Sequence, residues 1–303
     1  MATTARRKVY LTSRMQETIA GYLFILPAFV LLLIFTILPI IATLGLSVTD
    51  YQLLSPLRFT GLDNWQRLAA DTRAWTTFRN SLLITIGAVF FNNTIGFLLA
   101  VGVNRALPPG FKTTLRTIYF FPYITTAASL AMVWGFMLTK DRGMVNWMLG
   151  QVGIPPIGWL SDPNVAIWSV VMFDVWKSCG YLMVLYLAGL QGIPDSLYEA
   201  AMIDGADGWR QMRYITLPLI TPTAFFCLII SSIGAFQIFD NAFVLTGGGP
   251  GDASRTIVMY IYEVAFNRFE YGYAATVSVT LMIMLLIFTR IQFWVSNRWV
   301  TYD

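Results

Sequence analysis

Six long apolar runs decide what this chain can fold into: they lie at about 19–46, 81–103, 115–138, 165–190, 217–239 and 272–293. Each approaches the roughly 20 residues that a helix needs to cross a hydrocarbon layer roughly 30 Å thick. Inside such a layer every backbone polar group must be satisfied within the protein, and for runs of this length that means helices. With 56% hydrophobic and 12% charged residues, the chain lacks the polar surface of a soluble domain. The expected fold is therefore an all-α membrane protein with six transmembrane helices, and an even number of crossings puts both termini on one side.

Charge in the short flanking segments sets the side. With both termini cytoplasmic, the inner segments hold Arg6, Arg7, Lys8, Arg14, Arg105, Lys112, Arg116, Arg210, Arg213, Arg290 and Arg298, which is 11 of the 20 basic residues. The outer segments hold eight, Arg58, Arg67, Arg73, Arg79, Lys140, Arg142, Arg255 and Arg268, while Lys177 falls within a run. Residues 1–18 read as a cytoplasmic tail and 19–303 as one transmembrane domain. The first run is too long for a signal-peptide core and has no small-residue cleavage site, so it reads as an uncleaved span. The net charge of +4 fits contact with anionic lipid head groups. No basic stripe interleaved with aromatics suggests nucleic acid. Cys179 and Cys227 fall inside spans and read as small packing residues.

Between the fourth and fifth runs lies a polar loop, 191–216, that membrane packing alone does not explain. It contains Glu199-Ala200-Ala201-Met202-Ile203-Asp204-Gly205, followed after nine residues by Ile215-Thr216-Leu217-Pro218. Ala200 and Ala201 let a helix lie close to another surface, Gly205 allows a sharp change of direction, and Pro218 suits the first turn of the next helix. Asp195, Glu199, Asp204 and Asp207 stand against only Arg210 and Arg213. A helix resting on anionic lipid should be basic, so the loop reads as a docking element for a partner protein.

Catalytic chemistry is constrained by absence. The chain has no histidine, which excludes histidine acid-base chemistry and histidine metal sites. No G-x-x-x-x-G-K-[ST] occurs, and Gly247-Gly248-Gly249-Pro250 lacks the lysine of a phosphate loop. If ATP drives the protein, another chain must bind it. No catalytic or metal-ligating set is expected.

The polar residues inside the runs are the candidates for a solute path, because ionisable groups there normally face the bundle interior and have a partner. Asp174 and Lys177 stand three residues apart on one helix, so they can neutralise each other; alternatively Lys177 meets an anionic or polyhydroxylated solute. Ser178, Tyr181, Ser231, Gln237, Asp240 and Asn241 supply the hydroxyl, amide, carboxylate and aromatic groups that bind sugars. Ser231 and its neighbour Ser232 could instead bond a backbone carbonyl of their own helix. Tyr181 lies too deep for the interfacial belt.

The spacing E-A-A-x3-G-x9-I-x-L-P resembles the cytoplasmic loop of binding-protein-dependent ABC importer permeases, with every fixed position filled. Gly61-Leu62-Asp63-Asn64-Trp65, Thr246-Gly247-Gly248-Gly249-Pro250 and Tyr271-Gly272-Tyr273-Ala274-Ala275 extend the resemblance to the maltose-transporter type, over essentially the whole chain. The resemblance implies a type I importer permease fold in the bacterial inner membrane, without enzymatic activity. It implies a heterodimer with a second related permease, two ATPase subunits that bind ATP and Mg, and a periplasmic or lipid-anchored solute-binding protein. Glu199, Ala200, Ala201, Asp204 and Gly205 would form the coupling helix. The sugar-contact positions of the family fall on Asp174, Lys177, Ser178, Tyr181, Ser231, Gly234, Ala235 and Ile238. The last three lack the aromatic and amide groups expected of a disaccharide site, so the solute stays open: a sugar or sugar derivative, or else glycerol phosphate or another anionic organic solute. An ion-coupled secondary carrier is the rival class, but neither the loop nor an internal repeat supports it.

Overall fold

The computed structural model describes residues 13–53, 55–104 and 108–300. Arg6, Arg7, Lys8 and Arg105, four of the basic residues assigned to inner segments, lie outside them.

The first run forms one continuous rod. Helix α1 (Ser13–Leu32) begins within the segment read as a tail and passes through a π-helical turn, Leu33–Ile37, into α2 (Leu38–Leu46). Leu38 donates its N–H to the Leu33 carbonyl just ahead of Pro39. The wider turn gives room to a residue that has no N–H and whose ring crowds the preceding turn. A two-stranded antiparallel ribbon, β1 (Thr49–Asp50) with β2 (Arg58–Phe59), and the short α3 (Asp63–Ala70) follow. Helix α4 (Thr72–Asn104) starts at Thr72, nine residues before the apolar run at about 81–103.

The third run is not a straight span. It divides into α5 (Pro109–Ile124) and α6 (Ala127–Met137), bent by 96°. Pro122 weakens the helix from inside, and Thr125 and Thr126 take extended backbone angles (ψ 148° and 122°) that end it. The connection that follows holds α7 (Met144–Gln151), and α8 (Pro163–Gln191), which is long and apolar enough to cross a membrane, is capped by Asp162, whose carboxylate accepts from the Asn164 N–H.

The polar 191–216 loop forms α9 (Asp195–Ile203) and α10 (Gly208–Gln211). A second π-helical turn, Met212–Thr216, continues into α11 (Leu217–Leu219), which is bent by 61° from α12 (Thr221–Phe236). Pro218 therefore does not open the fifth span. Like Pro39, it follows a widened turn inside a helix, with the Leu217 N–H bonded to the Met212 carbonyl. Three irregular residues separate α12 from α13 (Asp240–Thr246); α14 (Ile257–Tyr262) and α15 (Tyr271–Ser296) complete the chain. Among the described residues four helices are long and apolar enough to cross a membrane, and up to six crossings result if each bent pair counts as one.

Helices α4 and α8 form the central pair, and small residues set their distance. A Cβ on Gly96 would come within 2.9 Å of the Leu182 Cβ, and one on Gly87 within 3.2 Å of the Trp168 ring. Close backbone approach is how membrane helices gain dispersion energy when no water drives them together. Contact is tighter still between α8 and α5, where a Cβ on Gly180 would lie 1.8 Å from the Tyr119 carbonyl oxygen. At one end of the bundle charges tie α4 to the segment around α14. Arg73 holds Asp252 and Glu263, each at 2.6 Å, and Arg255 reaches the same two carboxylates. The Asp71 carboxylate accepts the hydroxyls of Tyr260 and Tyr273. Both cysteines are free and buried, as their placement in spans suggested.

Candidate functional site

Helices α4, α5, α6, α8, α12 and α13 line a partly open cavity of about 300 Å³. Its wall contains the residues expected to line a path: Asp174, Lys177, Ser178 and Tyr181 from α8; Ser231, Gly234 and Ala235 from α12; Gln237 and Ile238 from the break after it; and Asp240 and Asn241 from α13. One turn of α8 separates Lys177 from Tyr181 and one of α12 separates Ser231 from Ala235, so helical spacing gathers each set on one face. The α12–α13 break makes the third wall. Irregular backbone at membrane depth is tolerated where it lines a cavity instead of facing lipid.

Asp174 makes no direct salt bridge to Lys177, although the two charges, one helical turn apart, still act on each other. Only 8% exposed, its carboxylate accepts from the Asn92 Nδ2 at 3.1 Å and from the Asn241 Nδ2 at 2.9 Å, and the ion pairs among the described residues include none to Lys177. Two amides from α4 and α13 thus satisfy the buried acid and join three elements at the cavity wall. The Asn92 Oδ1 is left buried without a hydrogen-bond partner, an acceptor at the cavity's edge. Lys177 instead holds its ammonium over the Tyr123 ring, 5.3 Å from the centroid. Tyr123 in turn stacks on Tyr181, with centroids 4.4 Å apart and planes 6° from parallel.

Ser231 and Ser232 do bond their own backbone, both to the Leu228 carbonyl, and each also meets a second side chain. Ser231 accepts from the Asn93 Nδ2 at 2.9 Å, and the Asn93 Oδ1 accepts the Tyr186 hydroxyl at 3.0 Å. Ser232 accepts from the Gln292 Nε2 at 2.7 Å. Ala235 and Ile238 are mostly buried and shape the wall. Sequence reasoning did not assign Asn92 or Tyr123 to the cavity. The signal for Tyr123 was the adjacent Pro122: a helix that breaks there can turn a ring inward. Asn92 signalled itself only as an amide in an apolar run.

Away from the cavity, α9 presents Glu199 and Ala200 to solvent and half-buries Ala201. The Gly205 N–H bonds the Met202 carbonyl and the Ala206 N–H bonds the Ala201 carbonyl, with Gly205 at φ +77°. This is a Schellman stop, which explains the glycine after Asp204. The Tyr198 hydroxyl meets the Thr216 Oγ1 at 3.0 Å and ties α9 to the turn before α11. Exposed apolar groups that the sequence reading passed over crowd this loop: Met202 is 58%, Ile203 87%, Trp209 74% and Tyr214 74% exposed. Contiguous exposed apolar surface marks interaction sites.

A polytopic helical bundle with a polar cavity at its broken helices, and an exposed acidic loop with apolar groups apart from it, is the form of a membrane transport component. The chain belongs to the family of binding-protein-dependent transport system inner membrane components, whose model matches residues 92–301. It is 34% identical over 282 residues to the trehalose/maltose transport system permease protein MalF of Thermococcus litoralis, covering 92% of this chain and 95% of that one. It is 33% identical over 303 residues to the lactose transport system permease protein LacF of Rhizobium radiobacter, covering 98% and 99%. A chain from the crystal structure of a bacterial ABC transporter involved in import of the acidic polysaccharide alginate shares the fold, with TM-score 0.81 at 24% identity over 94% of this chain and 97% of that one. The protein is thus a permease subunit of an ABC transport system, a transport component and not an enzyme, and it lies in the membrane as a multi-pass chain.

Proposed function

We propose that this chain is one half of the translocation path of an ATP-driven importer for a sugar or sugar derivative in a bacterial inner membrane. The observation that carries the reading is that the expected positions of α8, α12 and α13 line one cavity that joins an aromatic platform to amide, hydroxyl, carboxylate and ammonium groups. Sugars present hydroxyls for such polar groups and apolar ring faces for such a platform. The maltose and lactose relatives support the solute class.

In this reading each bent pair is one crossing, six in all, with both termini cytoplasmic. A second related permease completes the cavity, and a periplasmic or lipid-anchored binding protein delivers solute to it. Two ATPase subunits bind ATP and Mg beneath. Glu199, Ala200, Ala201, Asp204 and Gly205 form the coupling helix in a cleft of one ATPase, where Met202, Ile203 and Trp209 add apolar contact. Closure of the ATPases moves α9, the Tyr198–Thr216 contact passes the motion to the bend ahead of α12, and the cavity opens outward. Uptake by the reconstituted transporter tests both halves of the reading. Tyr181→Ala should slow sugar uptake while ATPase subunits stay bound, and Gly205→Ala should lower the sugar moved per ATP hydrolysed. Wild-type behaviour in both variants would overturn it.

A second reading, an anionic organic solute, is favoured by Lys177, whose ammonium lies over the Tyr123 ring at the cavity and forms no salt bridge among the described residues. A relative of 31% identity is the sulfoquinovosyl glycerol transport system permease protein SmoG of Agrobacterium fabrum. Thermal shift of the cognate binding protein against neutral sugars, sugar acids, sulfonated sugars and glycerol phosphate separates the two readings.

A further inference from the structure

Among the described residues Arg116 is the cation whose side chain leaves a buried nitrogen without a hydrogen-bond partner. Arg116, on α5, makes no ion pair or hydrogen bond with any described residue, and its Nε is buried without a partner. A half-buried guanidinium costs free energy unless an acceptor meets it. Topogenic charge would place a basic residue at this end of the helix, but it would not require the group to be half-buried.

The surroundings say what the acceptor looks like. Arg116 stands at one end of an open groove of about 250 Å³ lined also by Thr117, Phe120, Phe121 and Ile124 of α5 and Val184 of α8. Phe121 and Ile124 are 59% and 65% exposed, and the Thr117 hydroxyl is taken by the Thr113 carbonyl of its own helix. Lys112 lies one turn before Arg116, on the same side. The groove exists because Gly180 draws α8 onto the α5 backbone at Tyr119, and one turn further on Val184 forms its wall. A basic head followed along the helix by apolar rings is the form of an anionic phospholipid, phosphate at Arg116 and acyl chain along Phe121 and Ile124. The end of α5 that bears Arg116 is the cytoplasmic one in the orientation set by the basic flanks, where anionic lipid is concentrated.

We propose that this groove is a binding site for one anionic phospholipid, held by the Arg116 guanidinium with Lys112 in support. A free phosphate ion would use the guanidinium but leave the apolar wall uncovered.

The test is native mass spectrometry of the assembly purified through this chain, after exchange into mixed micelles of phosphatidylcholine with or without phosphatidylglycerol. Wild type should retain a phosphatidylglycerol that Arg116→Gln holds about tenfold less well, the scale of one lost charge-assisted bond, and Arg116→Lys should retain it in large part. Ile124→Trp, which fills the groove and leaves the charge, should also lose it. Equal retention by wild type and Arg116→Gln would overturn the proposal. So would displacement of the lipid by inorganic phosphate, or dissociation of a partner permease from Ile124→Trp in place of lipid loss.

Discussion

Gly180 controls the cavity without touching it, and Gly180→Ala is the sharpest perturbation open to test. A Cβ there would lie 1.8 Å from the Tyr119 carbonyl oxygen and 2.4 Å from its carbon, where ordinary contact begins at 3.4 Å. The obstacle is backbone, so no rotamer relieves it, and α5 must retreat from α8 by roughly 1.6 Å or more to restore contact distances. Overpacking of this kind costs about 1–3 kcal/mol. Tyr123 stands four residues along α5 and stacks on Tyr181 at 4.4 Å, and a retreat of that size opens the stack. A lost aromatic pair is worth about 0.5–1.5 kcal/mol, so solute transfer should fall by up to about tenfold, beyond any loss of assembled protein. The assay is initial uptake in proteoliposomes, normalised to assembled transporter, with thermal unfolding alongside. Tyr123→Ala should reproduce the uptake defect, and the double variant should add little to it, because both act on one contact. Wild-type uptake by Gly180→Ala, or full additivity of the two changes, would refute the reasoning.

Asp174→Leu leaves the amides of Asn92 and Asn241 buried without acceptors, each at about 1–3 kcal/mol. It should therefore unfold at clearly lower temperature than Asp174→Asn, which keeps the shape and one acceptor; equal melting of the two would count against the amide clamp. At the charged end, hydrogen bonding from Arg73, more than any other contact, holds the Asp252 carboxyl down at about 2 from an ordinary 3.8. A depressed folded-state pKa gives stability that is present above the unfolded value and lost as pH falls through the folded one. Wild type should therefore lose melting temperature between about pH 4 and pH 2 more steeply than Asp252→Asn, and parallel profiles would show that the Arg73 contact contributes nothing.

Much of this was legible in the chain before folding. Hydrophobic run length gave a helical membrane class because the bilayer leaves the backbone few alternatives. Glu199 to Gly205 announced itself because a polar loop with Ala-Ala and a stop glycine has no reason to exist inside a membrane bundle. The polar residues that line the cavity were legible because polarity is costly in an apolar run, and helical spacing alone put Asp174, Lys177 and Tyr181 on one face, whereas Gly234, Ala235 and Ile238 were reached only through the family resemblance. Partnership was not legible. Asp174 and Lys177 sit at pairing distance along α8, yet the acid is taken by Asn92 and Asn241, which lie far away in sequence on α4 and α13. The breaks at Thr125 and Ile220 were hidden as well, since a run of apolar residues scores the same whether the helix within it is straight or bent by 96°. Local composition fixes what each segment must avoid, lipid contact for a charge or water for an apolar face. Which groups then meet depends on close approaches such as Gly180 on Tyr119, and those exist only once the helices are packed.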